Sequence, residues 1–256
     1  MAHSPSLGSP LAWAPVRVPR RRSLQGSHVL VRPLDARADA EALYAVSHRP
    51  HGDPSIWTYL ADGPYGSYAA FREMLARAEV SEDPLFFAVV PRADDRPGGL
   101  AAYLRMAPEF GVVELGNIWF GVTLQRTTAA SEAIYLLAAY VLDELGYRRL
   151  EWKCNALNAA SRRAAERFGF TFEGVFRKHQ VVKGRNRDTA WYAITDDDWP
   201  SIRRGFQAWL SAENFDGAGR QRRPLPELIA AARDTREPGQ PTPAERPTPA
   251  RRAVGR

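Results

Sequence analysis

One cysteine in 256 residues cannot build a disulfide framework or a multi-cysteine zinc or iron–sulfur site, and it suits a reducing compartment such as the cytoplasm. No metal site is expected. Long hydrophobic runs are missing as well. The longest uncharged apolar stretch, 133–142, is about half of what a membrane helix needs, so no membrane partner is expected. No apolar segment follows the arginines at Arg17, Arg20, Arg21 and Arg22, which argues against a secretory leader. Acidic residues are absent from 1–27, which carries +4, and scarce in 217–256, which carries +5. The net charge of +6 therefore belongs to the ends, and the middle is left at −3. A nucleic-acid-binding domain normally places its basic patch on the folded face, so this balance disfavours one here.

Composition divides the chain the same way. The two ends hold eleven of the twenty prolines, and Pro, Thr, Ala and Glu dominate 237–249. The segment 1–27 reads as a disordered basic arm. The segment 217–256 reads as a mostly disordered Pro/Arg-rich tail with room for a short helix at 225–232. The residues 28–216 form the domain. Apolar content of 45% supplies it with a core.

Within 28–216, periodicity predicts strands at 28–33, 85–90, 100–106, 112–120, 149–154, 172–182 and 187–195. It predicts helices at 39–47, 67–80, 127–145, 158–168 and 196–210. The third helix is the clearest, with Ile134, Leu137, Ala138, Val141 and Leu142 on one face and Gly146 as its stop. Lys183-Gly184-Arg185-Asn186 reads as a hairpin turn. The order is mixed α/β with hairpins, not a regular βαβ series.

Two segments carry chemistry. In the first, a strand ends near Phe120, a short loop follows, and a long helix opens among small residues through Ala133. Small residues let a ligand approach the backbone. The free amides and positive dipole end of such a helix favour an anion, a pyrophosphate above all. In the second, Asn158 caps a helix, Ser161 lies one turn in, and Gly169-Phe170 follows it. Capping alone also explains that pattern.

Together these segments resemble the Gcn5-related N-acetyltransferase (GNAT) superfamily, and within it the RimJ/RimL-like ribosomal-protein N-terminal acetyltransferases. The likeness rests on Leu115-Gly116 with Ile118, on Gln125-Arg126 through Ala130-Ser131-Glu132-Ala133, and on Asn158, Ser161 and Gly169-Phe170. It also rests on Trp57-Thr58-Tyr59 with Gly63-Pro64-Tyr65, and on Arg187-Asp188-Thr189 with Trp191. The resemblance covers roughly 28–200. It implies a mixed, mostly antiparallel sheet of about seven strands that splays between strands four and five, with helices on both faces. It implies acetyl-CoA as co-substrate and an amine as acceptor, the N-terminus of a ribosomal or other protein among the candidates. A homodimer is compatible with it. The pantetheine arm would pair with Ile118, Trp119 and Phe120. The pyrophosphate would sit at Gln125, Arg126, Thr127, Thr128, Ala129, Ala130 and Ser131, and Asn158 and Ser161 would hold the pantetheine end.

The sequence departs from that pattern twice. Thr128 replaces the central loop glycine, where a Cβ restricts positive φ. Ala165 stands where many superfamily members carry a general-acid tyrosine. Glu114, a carboxylate in a strand between Val113 and Leu115, is the candidate general base. Trp57, Tyr59 and Tyr65 are candidate walls of the acceptor pocket. Asp53 is a candidate partner for a cationic amine, which the acidic middle segment mildly favours. His48 and His51 read as surface residues, Arg185 and Arg187 as a solvated turn, and Cys154 as a small buried hydrophobe. A non-catalytic acyl-CoA sensor of the same fold is the alternative function.

Overall fold

The computed structural model describes residues 7–234. Eight strands form one sheet: β1 (Leu24–Gln25), β2 (Val29–Pro33), β3 (Leu85–Pro91), β4 (Gly99–Ala107), β5 (Val112–Phe120), β6 (Arg149–Asn155), β7 (Thr171–Val182) and β8 (Arg185–Thr195), in the order β1-β2-β3-β4-β5-β6-β8-β7. Neighbours are antiparallel except β5 and β6. The predicted seven strands are all present, and β1 is added at the edge.

Six helices cover the sheet: α1 (Ala36–Ser47), α2 (Tyr68–Val80), α3 (Thr128–Ala139), α4 (Ala159–Arg167), α5 (Trp199–Leu210) and α6 (Leu225–Asp234). Their starts follow local chemistry. The Asp35 carboxylate accepts from the amides of Arg37 and Ala38, and so α1 opens three residues before the predicted start. Ser67 caps α2. The helix predicted over 127–145 is α3 followed by a π turn, Tyr140–Glu144, and Gly146 closes it at φ +79°.

Both faces of β3 are covered, which is why it reads Leu-Phe-Phe-Ala-Val-Val with no polar position, whereas the edge strand β7 is largely exposed. Phe87 and Val89 join the core cluster that α3 covers on one face, and Ala88 and Val90 join the one built with α1 and α2 on the other. Each such Leu, Val or Phe contributes about 1.5–3 kcal/mol of burial.

The described parts of both ends contact the domain. The described part of 1–27 is laid along the domain. The Trp13 indole donates to Glu109 O at 2.7 Å, the Arg20 amide donates to the Tyr140 hydroxyl at 3.0 Å, and Arg22 pairs with Glu144 at 2.8 Å. Within 7–27, Trp13, Val16 and Leu24 reach the domain, and the side chains of Arg21 and Arg22 find partners there. Glu132 of α3 anchors the turn into β2, accepting from the amides of Ser27 at 2.9 Å and His28 at 2.6 Å. Beyond residue 216 the helix expected near 225–232 exists as α6. Its Ile229 packs so closely on Gly205 that a Cβ there would lie 2.5 Å from it. The stretch 237–249 lies outside the described residues.

Candidate functional site

The site follows from a failure of pairing. β5 and β6 pair only at Val112–Arg149, Val113–Leu150 and Glu114–Glu151. From Leu115 onward β5 bonds β4 alone, and β6 continues along β8 to Asn155. The strands part, and the backbone edge of β5 from Leu115 to Phe120 is left without a strand partner on that side. Within it the register with β4 shifts: Asn117 and Ile118 together oppose Ala101, and Asn117 adopts φ +49°. Such a bulge re-aims backbone groups.

Past the end of β5 the chain turns through Gly121 to Gln125 and enters α3. The Thr127 hydroxyl accepts from the Ala130 amide at 3.1 Å and donates to Leu124 O at 2.7 Å. This cap leaves the amides of Arg126, Thr128 and Ala129 without intramolecular acceptors among the described residues. The left-handed backbone of the loop falls on Arg126, at φ +63°, and not on Thr128, which is the first helical residue. Thr128 therefore costs the loop no strain. Unbonded amides at a helix start and a strand edge with spare hydrogen-bonding groups suit a diphosphate carrying an amide-rich arm.

Other predicted cofactor residues are placed differently. Ala130 is buried in the core, and Ser131 turns inward, its hydroxyl accepting from Arg167 at 3.0 Å. Trp119 packs on the α1–α2 side, 5.3 Å from Trp57. Gln125 folds back to donate to Phe120 O at 2.7 Å. Asn158 Oδ1 caps α4 through the Ser161 amide at 3.0 Å, and the Ser161 hydroxyl accepts from the Trp152 indole at 2.9 Å.

On the α1–α2 side of the parting, β4, β5 and β6 bring charges together. Glu114 is 3% exposed. Its Oε2 lies 2.7 Å from Arg105 Nη1 and 3.0 Å from Lys153 Nζ. Lys153 also pairs with Glu151 at 2.6 Å and sits 3.9 Å from the centre of the Trp191 ring. Arg149 ends the chain of charges, meeting Glu151 and Glu173 at 2.8 Å each. Glu114 is thus neither a surface residue nor an isolated acid. Arg187 is half-buried, and burial lowers its pKa from the ordinary value, with Glu114 and Arg105 within electrostatic reach. It is not the solvated turn residue that the sequence suggests. Sequence reading missed Arg105 and Lys153; the signal was Lys153 itself, a lysine flanked by Trp152 and Cys154 in a strand. Cys154 is buried as expected, which pushes its thiol pKa up.

The aromatic loop roofs this side. Tyr59 donates to Leu157 O at 3.2 Å, and Lys183 Nζ donates to Trp57 O at 2.7 Å, so the loop is tied to the β6–α4 connection and to the β7–β8 hairpin. Trp57 is 2% exposed, its indole bonded to Ser47 O at 3.0 Å; it is a core residue. Tyr65 is half-buried, which pushes its hydroxyl pKa up to about 12. Asp53 is exposed, and its carboxylate caps the turn Pro54–Trp57 through the amide and hydroxyl of Ser55. His48 is buried, contrary to its surface reading. Its Nε2 accepts from the Tyr65 amide at 3.1 Å and its Nδ1 faces the Ser47 hydroxyl at 2.8 Å. Ser47 donates onward to Leu43 O at 2.6 Å, which assigns the ring proton to Nδ1.

Comparison with known proteins agrees with this geometry. The acetyltransferase (GNAT) domain family matches residues 28–171. A crystal structure of a GCN5-related N-acetyltransferase from Brucella melitensis is 45% identical, covers 86% of this chain and 99% of its own, and superposes with a TM-score of 0.83. A GNAT-family structure from Chromobacterium violaceum is 37% identical over 78% of this chain and 98% of its own, with a TM-score of 0.70. YjcK of Bacillus subtilis, described as a probable N-acetyltransferase, is 26% identical over 68% of this chain and 98% of its own. With its parted strands, its capped α3 and its family match, the chain belongs to the GNAT acetyltransferase family.

Proposed function

We propose that this protein is an N-acetyltransferase that moves the acetyl group of acetyl-CoA to an amine by direct attack. The parting of β5 from β6 beside the open amides of α3 carries this reading. The amides of Arg126, Thr128 and Ala129 would receive the pyrophosphate, and the β5 edge at Ile118 to Phe120 would receive the pantetheine arm. Asn158 through its side-chain nitrogen, and Ser161 through a hydroxyl that also bonds the Cys154 thiol, would hold the end of that arm. Acetyl-CoA supplies an activated thioester carbonyl, and a β5 backbone amide near the bulge would stabilise the oxygen as it gains charge.

An acceptor amine is largely protonated at neutral pH, so its proton must leave before or during attack. Glu114 would take it, directly or through water, with Arg105 and Lys153 fixing its orientation. Ala165 is fully buried, so that position supplies no acid and the departing thiolate would draw its proton from solvent. Both ends of the reaction would be held in one fissure, and positioning then supplies much of the rate. The acceptor is a small-molecule amine or a protein N-terminal amine, the latter being what the ribosomal-protein branch implies.

Calorimetric titration with acetyl-CoA, followed by thiol release across a panel of amines and N-terminal peptides, tests the proposal. Binding with turnover supports it. Binding without turnover across the panel favours a non-catalytic acyl-CoA sensor, and absence of binding removes both readings.

A further inference from the structure

Two buried nitrogen donors on one face of β8 have no acceptor: Arg187 Nε and Trp191 Nε1. The other unpaired buried polar atoms among the described residues, Tyr147 Oη and Arg203 Nε, lie outside this cluster, before β6 and on α5. A buried donor without an acceptor is costly, so a pair of them beside a fissure points to a ligand that supplies the acceptors. Register places both on the side of β8 that carries Thr189, and Trp191 stands directly opposite Lys153 of β6. Arg187 lies just past the point where β6 ends at Asn155, at the mouth of the parting.

The local charge count says what that ligand is. Arg149 and Glu173 close as a pair at the far end of the network. What remains is Arg105, Lys153 and Arg187 against Glu114 and Glu151, three cations facing two carboxylates. One positive charge is left over, which matches a single monovalent anion and not a dianionic phosphate. A planar guanidinium with a spare Nε–H suits a carboxylate.

We infer that the acceptor is a small aminocarboxylate, an amino acid or a close analogue, whose carboxylate is received by Arg187 and Trp191 while its amine lies toward Glu114. This rests on the acetyltransferase reading and narrows its acceptor. A neutral amine bearing a carboxylate carries one negative charge and so balances the site. A polyamine would instead meet the surplus positive charge. The charge that the acceptor meets is set by these residues and not by the acidic sum of the domain.

The test uses the purified full-length protein in two stages. Calorimetric titration with acetyl-CoA comes first; if it does not bind, the transferase reading fails and takes this inference with it. Thiol release is then followed with the proteinogenic amino acids, β-alanine and 4-aminobutyrate, each beside its carboxamide. KM for the preferred acids is expected at least tenfold below that of their amides. Arg187→Gln is expected to remove most of that ratio, and Arg187→Lys to restore part of it, with acetyl-CoA binding reporting that each variant is folded. Equal KM values, an amide preference, or turnover of neither series by a protein that binds acetyl-CoA would overturn the inference. The comparison of acids with amides needs no variant.

Discussion

The two sides of the parted strands are made of different materials. On the α3 side the proposed recognition groups are the backbone amides of Arg126, Thr128 and Ala129, set by a cap, a left-handed Arg126 and a helix start. On the α1–α2 side the proposed groups are side chains from four strands: Arg105, Glu114, Lys153 and Arg187 with Trp191. A backbone site depends on local conformation and tolerates changes of side chain. A side-chain site depends on identity, and its members must be brought together by the sheet. Cofactor chemistry that never changes suits the first construction, and acceptor chemistry that sets specificity suits the second.

The sharpest way to break this contrast is at Glu114. Glu114→Gln should lower turnover by about 10² or more with acetyl-CoA affinity nearly unchanged, because it alters only the side-chain half. Steady-state thiol release beside calorimetry reads both numbers, and near-wild-type turnover would clear Glu114 of proton transfer. The converse test is Thr128→Pro. Proline fits a first helical position, and Thr127 at φ −93°, ψ 165° already has the backbone that precedes proline, so the helix should survive while one free amide disappears. Acetyl-CoA affinity should fall about tenfold, the effect of losing roughly 1.4 kcal/mol of binding, with thermal stability unchanged or raised. Unchanged affinity would show that this amide is not used.

Glu132 tests whether the loop region has a scaffold behind it. Its carboxylate ties α3 to the start of β2, so Glu132→Ala should cost about 2 kcal/mol in denaturant titration. A loss below a few tenths would mean the anchor is idle. The smallest effect concerns the roof of the acceptor side. Burial lowers the His48 pKa below its usual value of 6.5, so the folded protein binds fewer protons than the unfolded chain in that range. Stability should therefore rise with pH toward 6.5 and fall as pH drops below it. Protonation would also set an Nε2 proton against the Tyr65 amide. Denaturation at pH 7.5 and 5.5 should show this decline, and His48→Asn should flatten it.

The contrast also explains what was legible in the sequence. Helices and strands of 28–216 follow from local periodicity and caps, and the α3 loop could be placed because its residues are contiguous. Thr128 departs from the family pattern without strain because the left-handed turn falls on Arg126, a placement that sequence alone does not give. Glu114 stood out as a carboxylate among Val and Leu, but its partners are 9 and 39 positions away and only the sheet register joins them. Trp57 and His48 looked like pocket and surface residues because burial on the α1–α2 side depends on packing between separate elements. The contacts of 7–27 are hard to read for a different reason: serine, arginine and proline dominate the composition of 1–27, while the residues that reach the domain are single, widely spaced Trp13, Val16 and Leu24.

The central claim is that backbone amides at the start of α3 hold the diphosphate of acetyl-CoA. Amide chemical-shift mapping of the labelled protein during acetyl-CoA titration addresses it most directly. The account predicts the largest shifts at Arg126, Thr128 and Ala129, with a second group along Leu115 to Phe120. Saturable binding that leaves those amides unmoved would contradict it.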